Sequence, residues 1–219
     1  MKYTVKLVSL VAISAFAMVV FLFSGQTAER ASAIGSGPPA GFTSAPDENS
    51  CTACHGGATG NGTFVITPPP YYLPGRTYAV EVRHTASDLT RKRWGFQMTS
   101  LVNQTGQGTF ASVNANTQTL SDSGRSYVQH TSVGTFTDQT GGAVWNMNWT
   151  APATNVGTIT MYSAGNQANS DTTSDGDLII ESLARIPQYK AIMDLDGDQK
   201  TDLSVFRPNG ASSEWWWNR

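Results

Sequence analysis

The sequence predicts an all-β protein, an antiparallel β-sandwich preceded by an irregular N-terminal segment. After residue 62, apolar and polar residues alternate with a period of two in short runs. Glycine, asparagine, aspartate and threonine punctuate these runs, and no segment shows a convincing helical period. Such alternation is typical of antiparallel strands with one buried face. About eight short strands over ~120 residues fit a sandwich better than a fold with crossover helices.

The first 33 residues have the pattern of a secretory signal peptide. Lys2 and Lys6 precede an uncharged apolar run over residues 7–23, and a small-residue cleavage site ends at Ala33. A retained N-terminal anchor is the alternative, because the apolar run approaches the ~20 residues that a membrane span needs. We therefore expect a secreted, periplasmic or cell-surface protein, with membrane contact only through an uncleaved signal.

Residues 34–62 form a leader in front of the predicted sandwich. Its first part, residues 34–50, is rich in glycine, proline and serine, and residues 56–62 contain four glycines. Both stretches predict irregular backbone.

The predicted sandwich covers residues 63–186. Its first candidate strand is 63–67, and alternating runs follow around Tyr78, Trp94 and Trp145. The large aromatic side chains of these runs can fill the space between two sheets. Further candidate strands are 109–113, 127–131, 157–164 and 177–185.

Residues 51–55 read Cys-Thr-Ala-Cys-His, and Cys51 and Cys54 are the only cysteines of the chain. In this pattern both thiols add to haem vinyl groups and the adjacent histidine, here His55, lies beneath the iron, so the pattern predicts one covalent c-type haem. A surface disulfide is the alternative. A zinc site would need two more suitable ligands, and a thioredoxin-like pair would need a βαβ context.

The group opposite His55 decides the chemistry, because a strong axial ligand favours electron transfer and an open position permits small-ligand binding or catalysis. We expect His130 to be this ligand, since it lies on a short candidate strand flanked by glycine-containing loops. The alternatives are His84, a methionine (Met98 or Met147) and an open or exogenous position. The side chains of His84 and both methionines share faces with apolar or aromatic residues, which is more typical of a core.

Several separated motifs resemble the bacterial secreted domains called choice-of-anchor V, which are related to the reelin N-terminal (Reeler) domain. These motifs are residues 41–43 running into 51–55, and residues 92–98, 127–131, 148–152 and 162–166. The resemblance spans residues ~41–186. It implies an immunoglobulin-like sandwich in an exported, cell-surface-associated protein with an appended anchoring or sorting module, but no particular activity.

The C-terminal residues 187–219 have a different composition. Their acidic run predicts a calcium loop in which four carboxylates and one backbone carbonyl converge on the ion. The predicted ligands are Asp194, Asp196, Asp198, the carbonyl of Lys200, and Asp202. The run resembles the calcium loop of FG-GAP/VCBS repeats, of which only one partial copy is present. The alternative is an acidic, solvated turn.

These features favour an exported monohaem c-type cytochrome that acts in extracytoplasmic electron transfer. Its expected partner is another redox protein or haem, and self-association is a further option. The sequence has no recognisable nucleophile–base pair, metal triad or nucleotide loop, which favours an electron carrier over an enzyme. Its formal charge of −2 and lack of basic clusters exclude a nucleic-acid partner. The alternatives are a structural or adhesive surface module and a haem-based sensor or enzyme.

Overall fold

The computed structural model describes residues 34–56, 58–171, 173–191, 194 and 201–202, and the backbone of 204–209 and 212–217. The predicted signal peptide, residues 1–33, lies outside this part of the chain. Among the described residues, no helix is long and apolar enough to cross a membrane. Nearly all the regular structure is strand: β1 Thr63–Thr67, β2 Thr77–Thr85, β3 Arg93–Val102, β4 Thr105–Gly106, β5 Thr109–Ser112, β6 Thr117–Asp122, β7 Arg125–His130, β8 Gly142–Thr150, β9 Ile159–Ala168, β10 Leu178–Ile186, β11 Ser204–Asn209 and β12 Ser212–Trp217.

The predicted fold class is confirmed, since the strands pair as antiparallel sheets that form a sandwich. One sheet has the order β1-β2-β8-β5, and the larger has the order β10-β9-β3-β7-β6, with β4 paired to β3. Each strand expected within residues 63–186 coincides with an observed strand. The short strands β4 and β6 were not predicted, because β6 carries a single leucine among polar residues and is held at the sheet edge by backbone pairing with β7.

The core lies between the two sheets and is rich in aromatic side chains. Trp94 and Phe96 of β3 face Trp145 and Trp149 of β8, and the Phe96 and Trp145 ring centroids are 4.7 Å apart. The buried indole N–H groups are paired: that of Trp145 donates to the Gly134 carbonyl oxygen at 2.8 Å. Satisfied polar tips allow large rings to be buried without the cost of an unpaired donor.

The leader forms a third layer on the outer face of the larger sheet. In a two-layer sandwich, alternate residues of a strand face water, yet all residues from 94 to 101 of β3 are buried. The backbone N–H of Phe42 donates to Gln97 Oε1 at 2.7 Å, and Gln97 Nε2 donates to the Pro39 carbonyl oxygen at 2.7 Å. The described residues of the leader form no strand, and side chains of the sheet take up some of the leader's backbone hydrogen bonds.

Glu48 connects the leader to β7 through a buried carboxylate. It forms an ion pair with Arg125 and accepts hydrogen bonds from the hydroxyl groups of Tyr127, at 2.7 Å, and Thr43. The Glu48 side chain is 4% exposed and that of Arg125 13%. Burial raises the pKa of the Tyr127 hydroxyl, and the hydrogen bond to Glu48 and the charge of Glu48 raise it further. The phenol therefore stays protonated and continues to donate.

The C-terminal hairpin of β11 and β12 pairs Ser204 with Trp217 and Asn209 with Ser212. The side chains of β11 and β12, including the three tryptophans, lie outside the described residues.

We predict that Glu48→Ala lowers the free energy of unfolding by about 2–3 kcal/mol, because it leaves the largely buried guanidinium of Arg125 without its partner. Urea denaturation of the parent and variant measures this change. The control is Glu81→Ala, which removes a pair with Arg83 whose side chains are 30% and 48% exposed, and which should cost less than ~1 kcal/mol. Equal losses in the two variants would contradict a special role for Glu48.

Candidate functional site

The motif at residues 51–55 forms one tight turn at the end of the leader. Cys51–Ala53 is a 3-10 turn that begins after Ser50, whose side chain accepts a hydrogen bond from the Thr52 backbone N–H. The N–H groups of Cys54 and His55 both donate to the Cys51 carbonyl oxygen, at 3.2 and 3.0 Å. Residues three apart eclipse one another in such a turn, so Cys51 and Cys54 project from the same side of the chain.

Both cysteines are free thiols. Cys51 is half-buried as a residue, and shielding of its sulfur from water raises its pKa to about 12, with smaller contributions from the charges of Cys54 and Glu181. A catalytic or redox-sensing cysteine needs a lowered pKa to form the reactive thiolate. Cys51 therefore lacks the property that a catalytic or redox-sensing cysteine needs at neutral pH.

The His55 ring is held by a carboxylate from a distant part of the chain. Its Nδ1 lies 2.6 Å from Oδ2 of Asp177, the residue just before β10. The Asp177 side chain is 1% exposed. An ionised carboxylate only accepts hydrogen bonds, so Nδ1 carries the proton and donates. In the neutral ring the lone pair is then on Nε2, which is the form that binds a metal.

Asn166 and the backbone of Asn169 fix the carboxylate of Asp177. Asn166 Nδ2 donates to Asp177 Oδ2 at 3.1 Å, and the Asn169 N–H donates to Oδ1 at 3.2 Å. The Asn166 amide also lies against the imidazole of His55, with Nδ2 3.2 Å from Nδ1 and 3.4 Å from Nε2. Its own Oδ1 is buried and has no partner among the described residues. The opposite amide orientation would bring Oδ1 towards the carboxylate, which electrostatic repulsion disfavours.

His130 ends the pairing of β7 with β3. Beyond the pair of Gln97 with Gln129, the His130 side chain takes the place of the backbone partner of Phe96. Its Nδ1 lies 3.1 Å from the backbone N and 3.0 Å from the backbone O of Phe96. Burial lowers the pKa of His130 to about 4; the Phe96 backbone opposes this shift, and the charges of Arg93 and His55 add to it. The ring is therefore neutral at pH 7. When Nδ1 donates to the Phe96 carbonyl oxygen, Nε2 has a free lone pair, whereas when Nδ1 accepts from the Phe96 N–H, Nε2 carries the proton.

The two imidazoles, His55 and His130, lie over neighbouring positions on the outer face of the larger sheet. Gly95 of β3 is the register partner of Asn166 of β9, and directly opposite residues in an antiparallel pair have Cα atoms ~4.5–5.5 Å apart. His55 contacts Asn166, whereas the His130 ring lies over Gly95, where a β carbon would come within 2.9 Å of its Cε1 atom. The absence of a side chain at position 95 leaves room for the His130 ring.

The other ligands that the sequence analysis considered lie in the core between the two sheets, on the other side of the larger sheet. His84 is buried in the core, stacked on Phe64 with ring centroids 4.2 Å apart, and neither ring nitrogen has a partner among the described residues. Met98 and Met147 are also fully buried between the sheets. The expectation that these three side chains are typical of a core agrees with their burial.

Asp177, Asn166 and Gly95 were not identified from the sequence as site residues. Asp177 lies 122 residues from His55 along the chain and Asn166 lies 111 residues away. Asn166 belongs to one of the motifs that carry the Reeler resemblance, which was the available signal. The predicted calcium loop falls largely outside the described part of the chain, which includes Asp194 and Asp202 but not Asp196, Asp198 or Lys200. That site stays a prediction.

No protein-family model matches the chain, and no curated protein matches it. Two solved structures are similar to it. The Reelin-N domain of F-spondin is 19% identical with a TM-score of 0.43, and the match covers 63% of this chain and 94% of that one. A DUF4466 family protein from Parabacteroides merdae ATCC 43184 is 12% identical with a TM-score of 0.35, and the match covers 66% of this chain and 48% of that one.

We predict that Gly95→Ala displaces the His130 ring, because the new methyl group meets Cε1. The His130 imidazole resonances in an NMR spectrum should shift, and the free energy of unfolding should fall by about 1–3 kcal/mol. Gly56→Ala is the control, since a β carbon there would meet its nearest atom at an ordinary 3.6 Å. Unchanged His130 resonances in Gly95→Ala would refute this packing.

We also predict that the fold loses stability in acid through His84. Burial lowers the pKa of His84 from its usual value of 6.5 to about 3. The Gly95 backbone opposes this shift in part. Between these values the unfolded chain binds the proton and the folded chain does not, so stability falls as pH decreases from 6.5 towards 3, by up to ~1.4 kcal/mol per pH unit for one proton.

Urea denaturation at several pH values tests this prediction for the parent and for His84→Phe. The free energy of unfolding of the variant should depend less steeply on pH, because the variant takes up about one proton fewer on unfolding. The pH dependence that remains is due in part to His130, whose pKa is also lowered. Identical pH profiles would contradict the prediction.

Proposed function

We propose that this protein is an exported monohaem c-type cytochrome that transfers electrons outside the cytoplasm, with its haem attached at Cys51 and Cys54. The observation that carries the proposal is the anchored imidazole of His55. It directly follows two thiols that project from one turn, and its Nδ1–H is bound by a buried carboxylate, which leaves the lone pair on Nε2. This atom lies 3.4 Å from Asn166 Nδ2 and would bind the iron in place of that contact.

The donors at the site fit a c-type haem in kind. The two cysteines are free rather than joined in a disulfide, as thioether formation requires, and the Nδ1 of the histidine that follows them faces a carboxylate. His130 provides a second neutral imidazole on the same face of the sheet, and its Nδ1 is held by the Phe96 backbone. Among the alternatives, His84, Met98 and Met147 are separated from the motif by the sheet itself.

When bound, a haem supplies reversible one-electron chemistry at its iron. The protein's part is to orient the two imidazoles and to cover the site with the leader. Two histidine ligands give a lower reduction potential than a histidine–methionine pair. The electron partner is another extracytoplasmic redox protein or a haem, and the exported setting follows from the signal-peptide pattern of the sequence.

A structural or adhesive surface module is the second candidate function. The observation that favours it is the architecture, because antiparallel β-sandwiches recur in many cell-surface domains of diverse function. This is an argument from fold alone, and fold does not determine function. The two proposals differ in whether the protein carries a redox-active haem.

We predict that coexpression with a c-type haem attachment system gives a protein with one covalent haem, whereas Cys51→Ala with Cys54→Ala gives none. Haem staining after denaturing electrophoresis, together with the mass of the intact chain, measures attachment. His84→Phe is a control that changes a buried core residue and should keep the haem. A parent chain without covalent haem would refute the cytochrome proposal and favour the surface module.

Spectra of the same preparations test the role of His130. We expect a low-spin ferric spectrum in the parent and in His84→Phe, and a high-spin spectrum that responds to added imidazole in His130→Ala. An unchanged low-spin spectrum in His130→Ala would show that another group faces the iron. A haem that cannot be reduced or oxidised would refute electron transfer.

A further inference from the structure

We infer that Asp177 is a positioning residue of this site, which orients His55 and lowers the reduction potential of the iron that His55 would bind. The inference rests on the proposed function, because it concerns the same site.

The geometry gives Asp177 a single ionisable partner. Among the described residues, the only basic side chain within ion-pair distance of Asp177 is that of His55, at 2.6 Å, and the Asp177 side chain is 1% exposed. Its other hydrogen bonds come from the neutral Asn166 amide and the Asn169 backbone N–H. A buried carboxylate is costly unless a positive charge compensates it. A cation bound at Nε2 of His55 would place such a charge on the far side of the same ring.

The carboxylate also changes the imidazole as an electron donor. A hydrogen bond from Nδ1–H to an anion raises the basicity of Nε2 more than a bond to a neutral carbonyl does. A more basic ligand stabilises ferric iron, which has the higher positive charge, relative to ferrous iron. The reduction potential therefore falls, and the protein becomes a better electron donor.

Asn166 moderates this effect. Its amide donates to Oδ2, the same oxygen that accepts from His55. Because the two donors share one acceptor atom, each weakens the other's hydrogen bond. Removing the amide donor should strengthen the bond to His55 and lower the potential further, whereas removing the negative charge of Asp177 should raise it. The two substitutions thus have opposite predicted signs.

The experiment is an equilibrium redox titration of the full chain carrying its covalent haem, in the parent and in Asp177→Asn, Asn166→Leu and Asp171→Asn. We expect Asp177→Asn to shift the reduction equilibrium at least tenfold towards ferrous iron, which is ~59 mV for one electron. Asn166→Leu should shift it in the opposite direction. Asp171→Asn is the matched control, because it removes the same charge from the same loop, and Asp171 bonds Asn169 and Thr173 rather than His55.

The outcomes separate this inference from the proposed function. A parent chain that attaches no haem overturns both. A haem-loaded parent whose potential changes equally in Asp177→Asn and Asp171→Asn overturns the role of Asp177 alone. If Asp177→Asn does not fold, Asn166→Leu decides: a lower potential supports the inference, and an equal or higher potential overturns it. A purely structural role would reduce haem content without opposite shifts in potential.

Discussion

The burial of β3 on both faces is the constraint on which the rest of this structure depends. A central strand of a two-layer sandwich has one face for the opposing sheet and one for water, yet here the leader covers the second face. The covering is specific, because Gln97 bonds the leader backbone and the carboxylate of Glu48 holds it against β7. A leader fixed in this way delivers the turn at residues 51–55 to one place on the sheet.

Two buried carboxylates, one from the leader and one from the sheet, each bind groups of the other part at this interface. Glu48 belongs to the leader and is bound by groups of the sheet, whereas Asp177 precedes a strand of the sheet and binds His55 of the leader. Each carboxylate is largely removed from water, so each needs its partners in place. The leader and the sheet are therefore coupled at both ends of the covered face, and the local geometry of His55 depends on a residue that is remote in sequence.

The larger sheet divides the histidines into two chemical environments. His84 points into the core between aromatic rings without a hydrogen bond, whereas His55 and His130 lie on the outer face, each with an anchored Nδ1. This division follows from alternation along the strands, since Gly165 lies against His84 while its neighbour Asn166 lies against His55. Under the proposed function, the two imidazoles that would hold a haem lie on the outer face of a β-sheet rather than among helices.

The sequence by itself determined the strands, the fold class and the attachment motif, because these depend on short-range patterns: alternation with a period of two, and a five-residue spacing of thiols and imidazole. It also identified His84, Met98 and Met147 as core residues from their positions beside aromatic side chains. Only the tertiary structure decided that the leader packs on the outer face, that Asp177 and Asn166 hold His55, and that Gly95 makes room for His130. Those contacts join residues 34 to 122 positions apart, and their formation depends on sheet order and register, which no local pattern specifies. The edge strand β6 was also decided by the tertiary structure, because backbone pairing with β7 rather than apolar alternation holds it in place.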